Sequence, residues 1–332
     1  MAYLSRQLTE IVGNDADYTT VLLGGSGTAA VEAMLSSVCY DRSALVIDNG
    51  AYGQRMAEIL EAYGITCHVF RASSTKPLDY DALEAMMRDK SPDCVAAVHS
   101  ETTSGLLNDI DAIGELCRKL DCTFLVDAMS SYGAIPIDMA AANIDYLAAS
   151  SNKNVQGMAG VGFVICSRER LAGLDGQTCR NYYLNLSAQH LYFERTHQMR
   201  FTPPVQTIYA LRQAVNELAR EGVAQRYERY CLSWQTLTEG TRALGLQTIV
   251  PDAHHSKIVT AIRYPDNDRF DFDDMHQYLR DRGFTIYPGK IRDEPTFRIA
   301  NIGAINHTDI EALLIELRRY LQSIGYRPAA TD

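Results

Sequence analysis

The chain is poor in the features that mark secreted, metal-binding or nucleic-acid-binding proteins. It has one tryptophan in 332 residues, and none of its eight cysteines (Cys39, Cys67, Cys94, Cys117, Cys122, Cys166, Cys179 and Cys231) forms a CxxC pair. Several lie inside apolar runs, which predicts reduced, packed thiols in a cytoplasmic protein rather than a disulfide framework. There is no HExxH, and no Cys/His cluster has zinc spacing, so no structural or catalytic metal is expected. Basic residues are the minority, 31 Lys and Arg against 41 Asp and Glu, for a net charge of -10. General binding to nucleic acid or an anionic membrane needs a basic face and is disfavoured, so any anionic ligand must be met by a local cluster. No stretch is long and apolar enough to span a bilayer, and the first residues lack the charged and apolar regions of a signal peptide.

What is present is material for a large core, since 46% of the residues are apolar. Short apolar runs alternate with amphipathic segments: VLLG at 21–24, ALVID at 44–48, ITCHVF at 65–70, CVAAVH at 94–99, TFLVD at 123–127, YLAAS at 146–150 and GFVIC at 162–166. The alternation predicts an α/β fold, a mostly parallel sheet flanked by helices on both faces. From about residue 170 the texture changes to longer, more charged helical stretches with a few short strands. This predicts a large domain over 1–222 and a smaller C-terminal α+β domain over 223–332. Pro203 and Pro204 are expected in the first turn of a helix that continues through Leu218, and Leu4, Leu8 and Ile11 predict that the chain opens within an amphipathic helix.

The chemistry concentrates in the segment 127–162. Asp127 closes an apolar run, so its carboxylate is expected at the C-terminal end of a buried parallel strand, the edge where open α/β sheets bind ligands. Lys153 follows a second such run, within the small, polar SSNKN segment. A lysine amine and a carboxylate are what pyridoxal phosphate requires: the amine holds the cofactor aldehyde, and the acid keeps the pyridine nitrogen protonated. Alone, the two residues are equally compatible with a strand-end aspartate and a solvated loop lysine. Gly24-Gly25-Ser26-Gly27-Thr28 follows a strand and opens a helix, a context that favours a phosphate, although the same loop serves as a tight turn that caps a helix. It matches neither the Walker motif nor the full GxGxxG spacing, so a monophosphate cup is the better fit. Tyr52 can stack on a flat heterocycle or be an ordinary surface tyrosine, Thr102 and Thr103 can bond a phenolic oxygen or make local side-chain turns, and Arg298, in an apolar strand, suits an anion or a structural ion pair. Lys290 and Arg55 are weaker candidates for added positive charge, with solvated surface residues as the simpler account.

Taken in order, GSGTAAVEA, DNGAYGQRM, VHSETTSGLLN, VDAMSSYGAIPID, IDYLAASSNKNVQG, RFTPPVQTIYALRQA, IYPGK and FRIANIG resemble the class V aminotransferases of pyridoxal-phosphate fold type I over nearly the whole chain. The resemblance implies that Lys153 carries the cofactor and shuttles the proton, and that Asp127 pairs with the pyridine nitrogen. Tyr52 would stack on the ring, Thr102 or Thr103 would bond near the ring oxygen, and Ser26, Gly27 and Thr28, helped by Asn152, would hold the phosphate. A threonine matching Thr202 reaches the phosphate of the neighbouring subunit, which implies a homodimer with a shared active site. Arg298 matches the arginine that grips the substrate anion. The implied reaction moves the amino group of 2-aminoethylphosphonate to pyruvate, giving phosphonoacetaldehyde and L-alanine. The alternatives are an α-amino acid donor of the alanine–glyoxylate or serine–glyoxylate type, or a shortened cofactor-binding relic without turnover. Two departures from the family pattern stand out. An upstream segment with a Pro-Gly-Pro stretch is expected and not found, and the segment CRNYYLNLSAQHLYFERTHQMR is unusually rich in aromatics and histidine.

Overall fold

The computed structural model describes residues 1–176, 179–289, 291 and 294–327, so Lys290 lies outside the described residues. The elements run α1 (Ala2–Glu10), β1 (Tyr18–Gly24), α2 (Gly27–Val38), β2 (Ala44–Asp48), α3 (Ala51–Ala62), β3 (Cys67–Arg71), α4 (Tyr80–Lys90) and β4 (Cys94–Val98). A short pair, β5 (Ser100–Glu101) and β6 (Leu106–Leu107), precedes α5 (Ile110–Lys119), β7 (Thr123–Asp127), β8 (Tyr146–Ser150) and β9 (Val161–Ser167). Helices α6 (Arg168–Ala172), α7 (Leu186–Thr196), α8 (Val205–Glu221) and α9 (Val223–Ala243) follow, then β10 (Val259–Arg263), α10 (Phe272–Arg280), β11 (Tyr287–Pro288), β12 (Thr296–Ala300) and α11 (His307–Ser323). The chain divides into two units. The first comprises Met1–Ser73, Leu78–Ser100 and Asn108–Ala224; the second takes Ser74–Pro77, Glu101–Leu107 and the residues from Gln225 onward.

The first unit is built on a seven-stranded sheet of order β1-β9-β8-β7-β4-β2-β3. Strands β2, β3, β4, β7 and β8 are parallel, and β9 runs against both β8 and β1. Alternation along the strands fills both faces. Leu45, Ile47, Val95, Ala97, Phe124, Val126, Leu147 and Phe163 join residues of α1, α4, α5 and α8 in one core. Val46, Ala96, Val98, Leu125, Ala148 and Val164 join α2, α3, α6 and α7 in the other. Burial on both sides is why these strands read as unbroken apolar runs. Phe124 is fully buried, and truncating such a residue to alanine costs about 3–5 kcal/mol.

The second unit packs a three-stranded antiparallel sheet, β10-β12-β11, with α10 and α11 around a core of Leu237, Ile262, Met275, Leu279, Phe297, Ile299, Leu313 and Leu317. Helix α11 opens with a capping box, in which Asn306 and Asp309 satisfy each other's backbone amides.

Candidate active site

Strand direction and register place Asp127 and the turns that carry Ser26 to Thr28 and Lys153 on one edge. Gly24 of β1 pairs with Val161, Gly162 with Ser150 of β8, Ala148 with Asp127 of β7, and Asp127 with Val98 of β4. The C-terminal ends of β1, β8, β7 and β4 therefore line the carboxyl edge of the sheet, where the turns that follow them project.

Asp127 is 4% exposed, and its position opposite Val98 and Ala148 turns it toward the face covered by α2 and α3. One carboxylate oxygen accepts the Met129 amide at 2.9 Å, which fixes the side chain against the turn after the strand. The Met129 side chain in turn lies against Gly27, so closely that a side chain on Gly27 would collide with its sulfur. The strand-end carboxylate and the glycine loop are thus one packed arrangement.

The glycine loop enters α2 with Ser26 as N-cap in an extended conformation, yet the Ser26 side chain makes no capping hydrogen bond and the first turn holds no acid. Ser26 and Thr28 are exposed and Gly27 is half-buried. A helix N-terminus without a carboxylate cap presents its first N–H groups and positive dipole end to an external anion. The loop is fastened below by the Gly25 amide, which donates to Gly160 O at 2.9 Å, and above by the Tyr183 hydroxyl, which donates to Gly24 O at 3.2 Å.

Lys153 lies three residues beyond β8 and is half-buried. Its segment is held by backbone bonds: Ser151 N to Val161 O at 3.0 Å, Gly157 N to Ser151 O at 2.7 Å and Gln156 N to Lys153 O at 2.9 Å. Asn152 is exposed and accepts from the Ser150 hydroxyl at 3.0 Å. Tyr52, in the first turn of α3, is half-buried, packs against the α2–α3 core, and carries the Arg55 guanidinium 5.0 Å from its ring centroid. The charge that the sequence suggested at Arg55 therefore lies against this ring. Thr202 is exposed just before Pro204, whose ring abuts Gly24.

Residue-type reasoning missed Met129 and Tyr183. The aromatic-rich segment 179–200 does contain the signal for Tyr183, whose ring stacks on Phe201 at 5.2 Å, while Arg200 lies over Phe201 at 5.0 Å and Tyr182 at 4.7 Å. Within that segment it is Tyr183 that reaches the glycine loop, through its bond to Gly24 O.

The other candidates belong to the second unit. Thr103 is buried, and both its amide and its hydroxyl donate to Glu101 Oε1, at 3.0 and 2.7 Å. Arg298, at the centre of β12 and 8% exposed, donates from Nε to Pro288 O and from Nη1 to Thr102 O, each at 3.0 Å. Thr102 and Arg298, remote in sequence, are direct partners.

The family model for aminotransferase class-V matches residues 2–308. The chain belongs to the class V aminotransferases. It is an α/β aminotransferase of pyridoxal-phosphate fold type I, and its cofactor is pyridoxal phosphate. It is 44% identical over 315 residues to a 2-aminoethylphosphonate–pyruvate transaminase of Klebsiella pneumoniae, covering 94% of this chain and 86% of the relative. Identity is 43% over 319 residues to a protein of the same name from Salmonella paratyphi B, covering 95% and 87%. Among solved structures, the pyridoxamine-pyruvate aminotransferase of Mesorhizobium loti superposes with a TM-score of 0.90 at 23% identity, covering 99% of this aminotransferase and 85% of that chain. The residues of this aminotransferase fit the cofactor on structural grounds: a buried carboxylate at a strand end, an uncapped helix N-terminus packed against its turn, and a backbone-fixed lysine segment on the same edge. Among the described residues no His/Cys/Asp/Glu group is suited to a metal ion, and no helix is long and apolar enough to cross a membrane.

Proposed function

We propose that this protein transfers the amino group of 2-aminoethylphosphonate to pyruvate, yielding phosphonoacetaldehyde and L-alanine. The observation that carries the reading is the shared carboxyl edge of Asp127, the Lys153 segment and the uncapped start of α2, in a class V chain about 43% identical to transaminases of that name. When bound, pyridoxal phosphate takes up the amino group in one half-reaction and releases it to the keto acid in the next. Lys153 Nζ holds the cofactor and carries the proton from the donor carbon. The Asp127 carboxylate, fixed by the Met129 amide, keeps the pyridine nitrogen protonated. The N–H groups at the start of α2, with Ser26, Thr28 and Asn152, hold the phosphate, and Tyr52 stacks on the ring. Thr102 or Thr103 bonds near the ring oxygen, and Arg298 receives the phosphonate of the donor and the carboxylate of pyruvate in turn.

Thr202 completes the phosphate site of a second subunit, so the working form is a homodimer with a shared site. In this proposal a large cofactor-binding domain spans 1–222 and a smaller one 223–332, with the turn 101–107 grouped with the smaller unit, and eight cysteines, free in the structure, accord with a cytoplasmic enzyme.

The test is a single turnover followed by absorbance. Cofactor-loaded protein given 2-aminoethylphosphonate without pyruvate should convert to the amino form of the cofactor and release aldehyde, whereas Lys153→Ala should do neither. Conversion by L-alanine or L-serine, with 2-aminoethylphosphonate inert, would refute the substrate assignment and leave the family assignment intact.

A further inference from the structure

The proposed anion clamp has a built support in the second unit. Arg298 is aimed partly by the Thr102 carbonyl, so the placement of that carbonyl sets the placement of the guanidinium. The carbonyl belongs to a turn with little freedom. Buried Glu101 accepts from Thr103 twice, and the Gly105 amide donates to Glu101 O at 2.8 Å. Gly105 then adopts φ +91°, a region that only glycine enters readily.

What holds Gly105 is the segment 255–259. The Ser256 amide donates to Gly105 O at 2.8 Å, and Leu106 bridges to His255. A Cβ on Gly105 would collide with the Val259 carbonyl and lie 2.8 Å from His255 Nε2. The His255 ring is 3% exposed and leans on Trp234, with centroids 5.2 Å apart. Its Nδ1 accepts the Lys257 amide at 2.8 Å, which assigns the proton of the neutral ring to Nε2, the atom facing Gly105. Among the described residues Nε2 has no hydrogen-bond partner. The edge toward Gly105 therefore acts by shape, as a wedge under the turn.

We infer that His255 is a positioning residue for substrate-anion binding: it props Gly105 so that the Thr102 carbonyl holds Arg298 in its anion-receiving position. The inference rests on the reading of Arg298 as the anion clamp, and the two are separable by experiment. His255→Asn keeps an acceptor where Nδ1 stands and withdraws the atom that meets Gly105, while His255→Gln restores an atom near Nε2.

The probe is ethylphosphonate, which has the anion and no reacting amine, titrated calorimetrically into the cofactor-loaded protein. His255→Asn should weaken its binding about tenfold and raise KM for 2-aminoethylphosphonate and pyruvate alike, with kcat within about twofold. The absorbance of the bound cofactor should not change, and His255→Gln should recover most of the loss. In an Arg298→Lys background, itself weakened, His255→Asn should add little, because both act on one contact. Wild-type affinity in His255→Asn, whatever its melting temperature, would overturn the inference while leaving the clamp reading standing. So would fully additive losses. Unchanged ethylphosphonate binding in Arg298→Lys would overturn the clamp reading and the inference with it.

Discussion

Replacing Gly27 by alanine tests whether the glycine loop and the Asp127 strand end form one ligand cradle. Gly27 is the first residue of α2, and a methyl group there would overlap the Met129 sulfur and lie 2.9 Å from its Cε and 3.2 Å from its Cγ. The thioether is flexible and can swing aside, at an overpacking cost of about 1–3 kcal/mol. Alanine returns up to about 1 kcal/mol of helix propensity, so fold stability should drop by about 0–2 kcal/mol, roughly a few degrees in Tm. The ligand should be affected more, because the Met129 amide is the donor that fixes Asp127 and, on the proposed reading, the Gly27 amide donates to the phosphate at the helix start. A loss of about 1.4–2.8 kcal/mol in cofactor binding is expected, a 10- to 100-fold rise in Kd measured by absorbance titration of the cofactor-free protein. Adding Met129→Ala removes the overlap, and the double variant should bind within about threefold of the Met129→Ala single variant. Wild-type affinity in Gly27→Ala, or no relief from the second change, would refute the coupling of the two elements.

Three further outcomes are expected. Tyr183→Phe keeps the stack on Phe201 but removes the hydroxyl from Gly24 O, and should raise the cofactor Kd by a few-fold, on the order of 1 kcal/mol, in the same titration. Cys179→Ser should leave turnover intact, since the chemistry proposed needs no thiol and Cys179 Sγ is engaged with Asn181 Oδ1 at 2.9 Å; a loss of steady-state rate would point to thiol chemistry. Burial lowers His99 to about 4 from its ordinary 6.5, so above pH 6.5 its contribution to stability is complete. As pH falls toward 4 the unfolded chain binds a proton there that the folded protein does not, removing up to about 1.4 kcal/mol per pH unit. His99→Asn should therefore flatten the fall of the urea midpoint between pH 6.5 and 4.5, and an unchanged slope would exclude His99 as a source.

The strands were legible because a sheet covered on both faces demands continuous apolar runs, and each predicted run coincides with one of β1 to β4 or β7 to β9. Their direction was not. The run at 162–166 carries no mark that sets β9 antiparallel to its neighbours, since direction depends on the connections rather than on residue type. Pro203 and Pro204 mark the start of α8 as expected, but from outside it: Pro204 is the N-cap, and its carbonyl accepts the Ile208 amide at 3.0 Å. Of the few short strands expected in the C-terminal part, the one at Tyr287–Pro288 is only two residues long, and Thr248 makes only an isolated bridge to Ile262. Short edge pairings leave little compositional trace. Helix α7 was missed within the aromatic-rich segment because only Leu186, Ser187 and Gln189 are buried on it, too few to impose a helical period.

The candidate site shows where reading by residue type stops. Asp127 and Lys153 could be located from local sequence because Asp127 ends one apolar run and Lys153 closely follows another, and strand ends have a known direction of exposure. The Thr102–Arg298 contact could not, because 196 residues separate the partners and the turn that joins them is assembled from Glu101, Gly105 and the 255–259 segment. In sequence Thr102 is a neighbour of β4, whereas in the fold its turn belongs with the unit that contains β10 and β12. That assignment changes how substitutions are to be read. A change at His255, Ser256 or Val259 is far along the chain from every predicted cofactor residue, yet the Ser256 amide holds Gly105, and the His255 ring and the Val259 carbonyl flank the place a Cβ on Gly105 would take. Variation there should alter anion affinity before it alters cofactor affinity, whereas variation at Met129 or Tyr183 should do the reverse.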